Sequence, residues 1–476
     1  MRKFRIALAL VFFTGLSLIF FGIGLDWFGW MAKIQILPSV MRTIGAATAA
    51  NLALLAVLLL VPLVFGRLYC STICPLGVMQ DLIIWFRRLD GMAETKMKVK
   101  AGQSLPKFKP RVKHFTYSPA RRTLRIAVLV LTVVAIVAGI QSFVVLVAPY
   151  STFGRILGFS LAGVAELVVL FILAWNWGRI WCNAVCPVGT VLGIPARVAL
   201  VRPRIDAALC NHCGRCERAC KSGCIDASSM KIDASRCVAC YDCAERCKEG
   251  AISLLPKSGS GSGSTAVRKP EEEGRREFLK KLGVVTLSLA LSGTLGAKEG
   301  SADTGKAKKK AAKVQKTDPV RRRPIVPPGA ESAESFYSHC TACRLCIEAC
   351  PGGVLRQSRS LKHLFQPEMS FLGGSCDPGC TVCSDVCPSG ALRPFPASAR
   401  PKVGLAVVDA GKCLAAAKGA KCGKCSARCP MEAIEMAENG GVRMPVVDPS
   451  LCIGCGACEN ACPVRPVSAI TVEGSI

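Results

Sequence analysis

Cysteine dominates the chemistry open to this 476-residue chain, which carries 29 of them. Six blocks offer four thiols each: Cys210, Cys213, Cys216 and Cys220; Cys237, Cys240, Cys243 and Cys247; Cys340, Cys343, Cys346 and Cys350; Cys376, Cys380, Cys383 and Cys387; Cys413, Cys422, Cys425 and Cys429; Cys452, Cys455, Cys458 and Cys462. The spacing CxxCxxCxxxC is that of bacterial-type iron–sulfur ligation, where three thiolates hold one cluster and the fourth reaches its neighbour. Six blocks predict six 4Fe–4S clusters and hence one-electron transfer. Zinc sites use two CxxC pairs split by a spacer, and disulfide scaffolds are short secreted chains. Neither pattern is present. Pro351, Pro388, Pro430 and Pro463 directly follow the last cysteine of the last four blocks. Two blocks depart from the spacing, with eight residues between Cys413 and Cys422 and three between Cys376 and Cys380.

Four more cysteines belong to an internal repeat. Gly66-Arg67-Leu68-Tyr69-Cys70-Ser71-Thr72-Ile73-Cys74-Pro75 matches Gly178-Arg179-Ile180-Trp181-Cys182-Asn183-Ala184-Val185-Cys186-Pro187. If the two CxxxCP copies meet, Cys70, Cys74, Cys182 and Cys186 suit a further iron–sulfur cluster. Two other readings stand beside it: small residues packing helices that start at a proline, or the lining of a quinone pocket. Cys224 remains, as a packing residue or spare thiol.

These residues need elements to position them. A mean hydropathy of +0.38 is too apolar for a soluble ferredoxin. Apolar stretches at about 5–25, 45–65, 125–148 and 157–177 approach the ~20 residues that cross a hydrocarbon core. The +29 net charge lacks the aromatic interleaving and motifs of nucleic-acid binders, so no nucleic acid is expected. Thirteen Lys and Arg from Arg67 to Arg125, against Lys33, Arg42 and Arg155 in the other two loops, place the N-terminus and the long loop on the cytoplasmic side. Trp27, Phe28 and Trp30 read as an aromatic belt at the outer interface. Both CxxxCP copies follow the second span of a two-span hairpin, which makes a parallel repeat.

The expected fold is multi-domain: an α-helical membrane domain over 1–201 and an α+β, ferredoxin-like two-cluster domain over 202–254. A linker follows over 255–330, then a four-cluster domain over 331–476. In the linker, Lys257 to Thr265 is rich in Gly and Ser. Arg275-Arg276-Glu277-Phe278-Leu279-Lys280, followed by an apolar run to Ala297, is similar to a twin-arginine export signal. Residues 275–297 then form a fifth span, and the last domain is periplasmic. Ten Lys and Arg from Lys298 to Arg323 oppose that topology under the positive-inside rule.

The double CxxxCP, four spans and ferredoxin pair resemble the NapH-type membrane subunits of quinol dehydrogenases, over roughly residues 1–254. The C-terminal domain resembles the NapG-type periplasmic ferredoxin subunit, so the chain looks like both subunits fused. The resemblance implies that the first and fourth motifs of that domain share two clusters, as do the second and third. One departure is Lys221 and Lys248, where proline usually follows the fourth cysteine; a nearby cation tends to raise a cluster's potential.

His114, His212, His339 and His363 all lie outside the spans, and no CxxCH occurs, so no haem is expected. Clusters on opposite faces would stand ~30 Å apart across hydrocarbon, too far for one tunnelling step. A mobile quinone is the economical bridge. Glu166, the only acidic residue well inside a span, is the candidate for handling its protons, or else a hydrogen-bonded helix contact. Gln141 and Asn51 are further polar candidates. The expected function is an electron-transfer subunit of a bacterial cytoplasmic-membrane complex. It links quinone or quinol and other membrane subunits with a periplasmic reductase or multihaem cytochrome c, in either direction. The alternatives are a redox regulatory or maturation factor, and a cytoplasm-facing, ferredoxin-linked quinone reductase.

Overall fold

The structure, a computed structural model, describes residues 1–100, 115–254, 315–439 and 442–475. The Gly/Ser linker, the RRxFLK motif and the expected fifth span at 275–297 lie outside the described residues.

The first 200 residues are built twice on one plan. Helix α1 (Arg2–Phe20) leads to two short helices, α2 (Leu25–Lys33) and α3 (Ile36–Gly45), and then to α4 (Ala49–Phe65). Helices α7 (Arg122–Val137), α8 (Gln141–Val147), α9 (Pro149–Leu157) and α10 (Leu161–Trp177) repeat that order. Thr48 and Ser160 start α4 and α10 alike, each side chain accepting from a backbone N–H three residues on, which satisfies a donor the helix leaves free. Gly66 and Gly178 end them with φ of 64° and 65°, a region that a side chain would strain. One turn follows, α5 (Tyr69–Thr72) in the first copy and a π-turn at Trp181–Val185 in the second. Pro75 and Pro187 then open α6 (Pro75–Lys100) and α11 (Pro187–Gly193), because a first helical residue needs no N–H.

The four expected spans appear as helices, but shorter than forecast. Among the described residues, α1 alone is long and apolar enough to cross a membrane; α9 and α10 pass that test together but bend by 116°, and α4 is a shorter apolar helix. The 125–148 stretch breaks at Gly139, whose φ is 70°. Between the long helices lie the pairs α2–α3 and α8–α9, where the sequence suggested loops except at α8, which falls inside the third expected span. α4 buries only Leu58 and Pro62, and α10 only Gly163, Leu170 and Ala174. Their remaining apolar side chains, with Val137 at 84% and Leu161 at 90% exposure, make a broad outward apolar surface of the kind that marks a lipid or protein contact.

The cysteine-rich parts are α+β and small. Around α12 (Arg215–Ala219) and α13 (Asp242–Arg246), β1 (Arg204–Ile205) pairs with β4 (Ile252–Ser253), and β2 (Ile225–Asp226) pairs with β3 (Lys231–Ile232). In the C-terminal part, β5 (Leu355–Gln357) pairs with β6 (Pro367–Met369), β7 (Gly404–Val408) with β10 (Ile470–Gly474), and β8 (Ile434–Asn439) with β9 (Val442–Val447), all antiparallel. The two cysteine-rich parts sit at opposite ends of α1. Its first residues pair with the ferredoxin pair through Arg2 and Asp242. Its later residues Phe12, Leu16, Ile19 and Phe20 form one core with Tyr150, Phe153, Cys343 and Leu345. At 1.5 Å per residue the helix is about 28 Å long.

Candidate functional site

Cys70, Cys74, Cys182 and Cys186 come from both copies of the repeat and are all buried. Cys74 interacts electrostatically with the other three, so the thiols converge. The surroundings follow the repeat's symmetry. Arg67 Nη2 donates to Cys182 O at 2.9 Å, and Arg179 Nη1 donates to Cys70 O at 2.6 Å. Each copy's arginine therefore holds the other copy's cysteine, and both arginines are wholly buried. A Cβ on Gly77 would run into Cys70 O, and one on Gly189 into Cys182 O. Only glycine fits at either place. Gln80 Nε2 donates to Cys182 Sγ at 3.3 Å, and the Gly189 N–H to Cys186 Sγ at 3.4 Å.

This donor set fits a four-iron cluster. Four thiolates bring excess negative charge into a buried site, and two buried guanidiniums with N–H donors onto sulfur offset it. Plain helix packing requires neither arginine. Among the described residues no three His, Cys, Asp or Glu close around a single ion, and a cluster's thiols stand wider because they surround a cube of iron and sulfide. The sequence counts Arg67 only with the basic loop and assigns Arg179 no role beyond the repeated motif. Their identical position in both copies was the available signal.

The ferredoxin pair abuts this site. Cys210, Cys213, Cys216 and Cys247 line one cavity, while Cys243 neighbours Cys240, Cys237 and Cys220. Each set thus takes three thiols from one block and the fourth from the other. Cys240 and Val238 share a core with Cys70, Cys74 and Cys186. Charge fixes the junction. Asp81 on α6 receives Arg179 at 2.8 Å, Arg5 at 3.2 Å and Lys221 at 3.2 Å. Lys221 also reaches Asp242 at 3.4 Å, which Arg88 approaches at 3.2 Å and Arg2 at 3.0 Å. Lys221 therefore joins the ferredoxin pair to the helical half, sharing two carboxylates with Arg2, Arg5, Arg88 and Arg179. Its charge still acts on the Cys240 thiol. Cys224 is buried with its sulfur 3.5 Å from Cys220 Sγ, beside the ligand set rather than in it.

In the C-terminal part the blocks pair as neighbours. Cys413, Cys422, Cys425 and Cys462 line one small cavity, and Cys429, Cys452, Cys455 and Cys458 line another. Cys346 neighbours Cys343, Cys340 and Cys387, and Cys383 neighbours Cys376, Cys380 and Cys350. The expected sharing between first and fourth, and second and third, motifs is therefore corrected. Its physical cause is the β8–β9 hairpin between Cys429 and Cys452 and the β5–β6 hairpin between Cys350 and Cys376, each folding one block back beside the next.

The loops carry a backbone signature. The residues on either side of the second cysteine have positive φ: His212 and Gly214, Ala239 and Tyr241, Ala342 and Arg344, Gly454 and Gly456. For the non-glycines this costs about 1–3 kcal/mol each, strain of a kind that clusters at functional sites. It turns N–H groups toward sulfur, as where the Ala342 N–H donates to Cys340 Sγ at 3.4 Å. Among the described residues, the blocks beginning at Cys376 and Cys413, whose spacing departs, lack it.

The C-terminal part docks on the far ends of the helices. Gln141 Nε2 donates to Ser338 O and Ser151 Oγ to Thr341 O, both at 2.6 Å. Ser142 Oγ donates to Leu361 O at 2.8 Å, and Arg42 to Pro388 O. A Cβ on Gly154 would run into Cys343 O, so backbone meets backbone there. Gln141 is thus a docking residue, and Asn51 donates to Ala46 O at 2.8 Å beside the start of α4. Glu166 accepts from Arg155 Nε at 3.0 Å and Nη2 at 2.7 Å, a close pair with a fully buried arginine. Arg155 in turn lies over the Phe365 ring at 5.0 Å.

A family described as a 4Fe–4S binding domain matches residues 48–92 and 158–206, the two CxxxCP copies, and a 4Fe–4S dicluster domain matches 420–465. Ferredoxin-type protein NapH of Haemophilus influenzae is 26% identical over 187 residues, which cover 39% of this chain and 55% of that protein. Methylamine utilization ferredoxin-type protein MauM of Paracoccus denitrificans is 34% identical over 167 residues, 32% of this chain and 72% of its own length. Ferredoxin-type protein NapF of Escherichia coli K12 is 33% identical over 150 residues, 31% of this chain and 84% of its own. The chain therefore spans little more than half the length of the NapH relative. No solved structure matches.

Proposed function

We infer, from the premise that this chain belongs to the ferredoxin-type 4Fe–4S electron-transfer proteins, that it is the iron–sulfur subunit of a membrane quinol dehydrogenase. It relays electrons between the quinone pool and a periplasmic reductase or multihaem cytochrome c. The reading places the first 201 residues in the bacterial cytoplasmic membrane, the ferredoxin pair at the cytoplasmic face and residues 331–476 in the periplasm. The outward apolar surface of α4, α7 and α10 supports the first of these. Placement of the cysteine-rich parts at opposite ends of α1 supports the other two. Export of the last domain is assigned to the twin-arginine motif at Arg275 and Arg276.

The observation that carries the reading is the convergence of Cys70, Cys74, Cys182 and Cys186 under crossed arginines. Bound clusters would supply reversible one-electron storage. The chain's own residues do the rest. Cysteine thiolates hold the groups, and Arg67 and Arg179 balance charge. Glu166, paired with Arg155, is the proposed acceptor for a quinol proton.

Iron and acid-labile sulfide analysis of the anaerobically purified full chain tests the site count. Seven loaded sites give about 28 iron per chain, falling by about four in Cys70→Ser/Cys182→Ser. An unchanged iron content in that variant removes the CxxxCP site. Protease treatment of intact spheroplasts tests topology: residues 331–476 are expected to be cut before lysis, and protection until lysis overturns the periplasmic placement.

A further inference from the structure

The CxxxCP thiols and the nearest thiols of the C-terminal part belong to adjoining, continuously packed cores. One core holds Tyr69, Cys70, Cys74, Cys186 and Cys240; the other holds Phe20, Tyr150, Phe153, Cys343 and Leu345. Ile73 and Met79 pack against both. Ile73 lies inside the first CxxxCP loop, next to Cys74. On the far side, Tyr150 neighbours Tyr69, Cys343 and Cys387. The short helices make this approach possible. α9 carries Tyr150 and Phe153 inward, and Gly154 lets the Cys343 backbone come to touching distance.

We propose that the Cys70/Cys74/Cys182/Cys186 site and the Cys340/Cys343/Cys346/Cys387 site are consecutive stations of one electron path through the protein, with Tyr69, Ile73, Met79 and Tyr150 as the intervening medium. Cys240, which shares the first core, extends the path to the ferredoxin pair. The step moves one electron: the donor site is oxidised by one, the acceptor site is reduced by one, and no bond or proton changes place. In the direction tested below, electrons enter from a low-potential one-electron carrier at the ferredoxin pair and leave to a higher-potential acceptor at the C-terminal part; the same stations serve the reverse direction. Quinone then joins the path from the side instead of completing it. The inference rests on cluster loading but not on quinol oxidation, and it replaces the expectation that a mobile quinone must bridge the two ends.

The test uses the full chain, loaded anaerobically, in quinone-free phospholipid vesicles with ferricyanide trapped inside. An impermeant reduced ferredoxin is added outside, and ferricyanide absorbance is followed against protein-free vesicles. Bleaching without quinone is expected, with loss of bleaching in Cys70→Ser/Cys182→Ser. Bleaching that appears only after a quinone is added overturns the path while leaving the quinol reading intact. Conversely, bleaching without quinone in a chain that no quinol can reduce sinks the quinol reading and keeps the path. Pulsed electron paramagnetic resonance of the reduced chain gives a second measure. Relaxation of the CxxxCP signal is expected to slow in Cys343→Ser, and an unchanged relaxation time overturns the adjacency.

Discussion

The two cysteine-rich parts are attached to the same helical scaffold by opposite chemistry. At the ferredoxin-pair end the junction is ionic: Arg2, Arg5, Arg88, Arg179 and Lys221 gather on Asp81 and Asp242. At the C-terminal end, neutral side chains of Gln141, Ser142 and Ser151 donate to backbone carbonyls, and Cys343 and Leu345 enter an apolar core. Buried ions are held strongly only while every partner is present, whereas an apolar and backbone contact yields gradually. The first end is therefore all-or-none and the second is graded.

Asp81→Asn is the severest way to break this contrast. It leaves Arg5, Arg179 and Lys221 without their shared carboxylate and is expected to cost about 3–5 kcal/mol, read by thermal unfolding of the detergent-solubilised chain. Acid should act on the same place. Burial opposes ionisation of Asp81, but Arg179, Lys221 and Arg5 outweigh it and hold its carboxyl well below the usual range. A depressed folded pKa gives stability that is complete above the unfolded value of about 3.9 and is lost as pH falls through the folded one. Hydrogen exchange below about pH 4 should then open the ferredoxin-pair junction before the C-terminal one. The reverse order would mean that charge does not hold the first end.

At the other end, Gly154→Val forces a side chain against Cys343 O and should cost about 1–3 kcal/mol as overpacking. Its readout is local: faster proteolysis within 315–345 with the ferredoxin pair unaffected. The smallest effect belongs to Arg2→Gln. Arg2 and its partner Glu245 are both substantially exposed, and the buried Asp242 it also meets keeps Arg88 and Lys221 when Arg2 is removed, so the loss is expected to stay at about 0–1 kcal/mol. A loss approaching that of Asp81→Asn would show that the ionic junction is one unit down to its rim.

The cysteine blocks were legible because their chemistry is written within eleven or so residues. The repeat was legible too, since Gly66 and Gly178 end equivalent helices and Pro75 and Pro187 begin the next. What hid were long-range partners. Nothing near Lys221 indicates that it meets Asp81, 140 positions earlier, and Asp81 looks like one more charge on an amphipathic helix. Of the short helices, α8 was missed because its seven residues merge with the third expected span, and α2, α3 and α9 because runs of nine or ten residues between spans read as loops by hydropathy alone. Family habit also misled: the sharing of clusters between distant motifs gave way to hairpins that place successive blocks side by side.

The crossed arginines impose an order of events on the newly made chain. Arg67 reaches Cys182 O, and Arg179 reaches Cys70 O. A ribosome that has released only the first hairpin has therefore made two of the four thiols and an arginine whose partners, Asn183, Cys182 and Ser235, are still to come. The four thiols are all present only once residue 186 has emerged and the second hairpin has come alongside. If the four thiols hold one group, the chain cannot complete its ligand set until the second copy has folded beside the first.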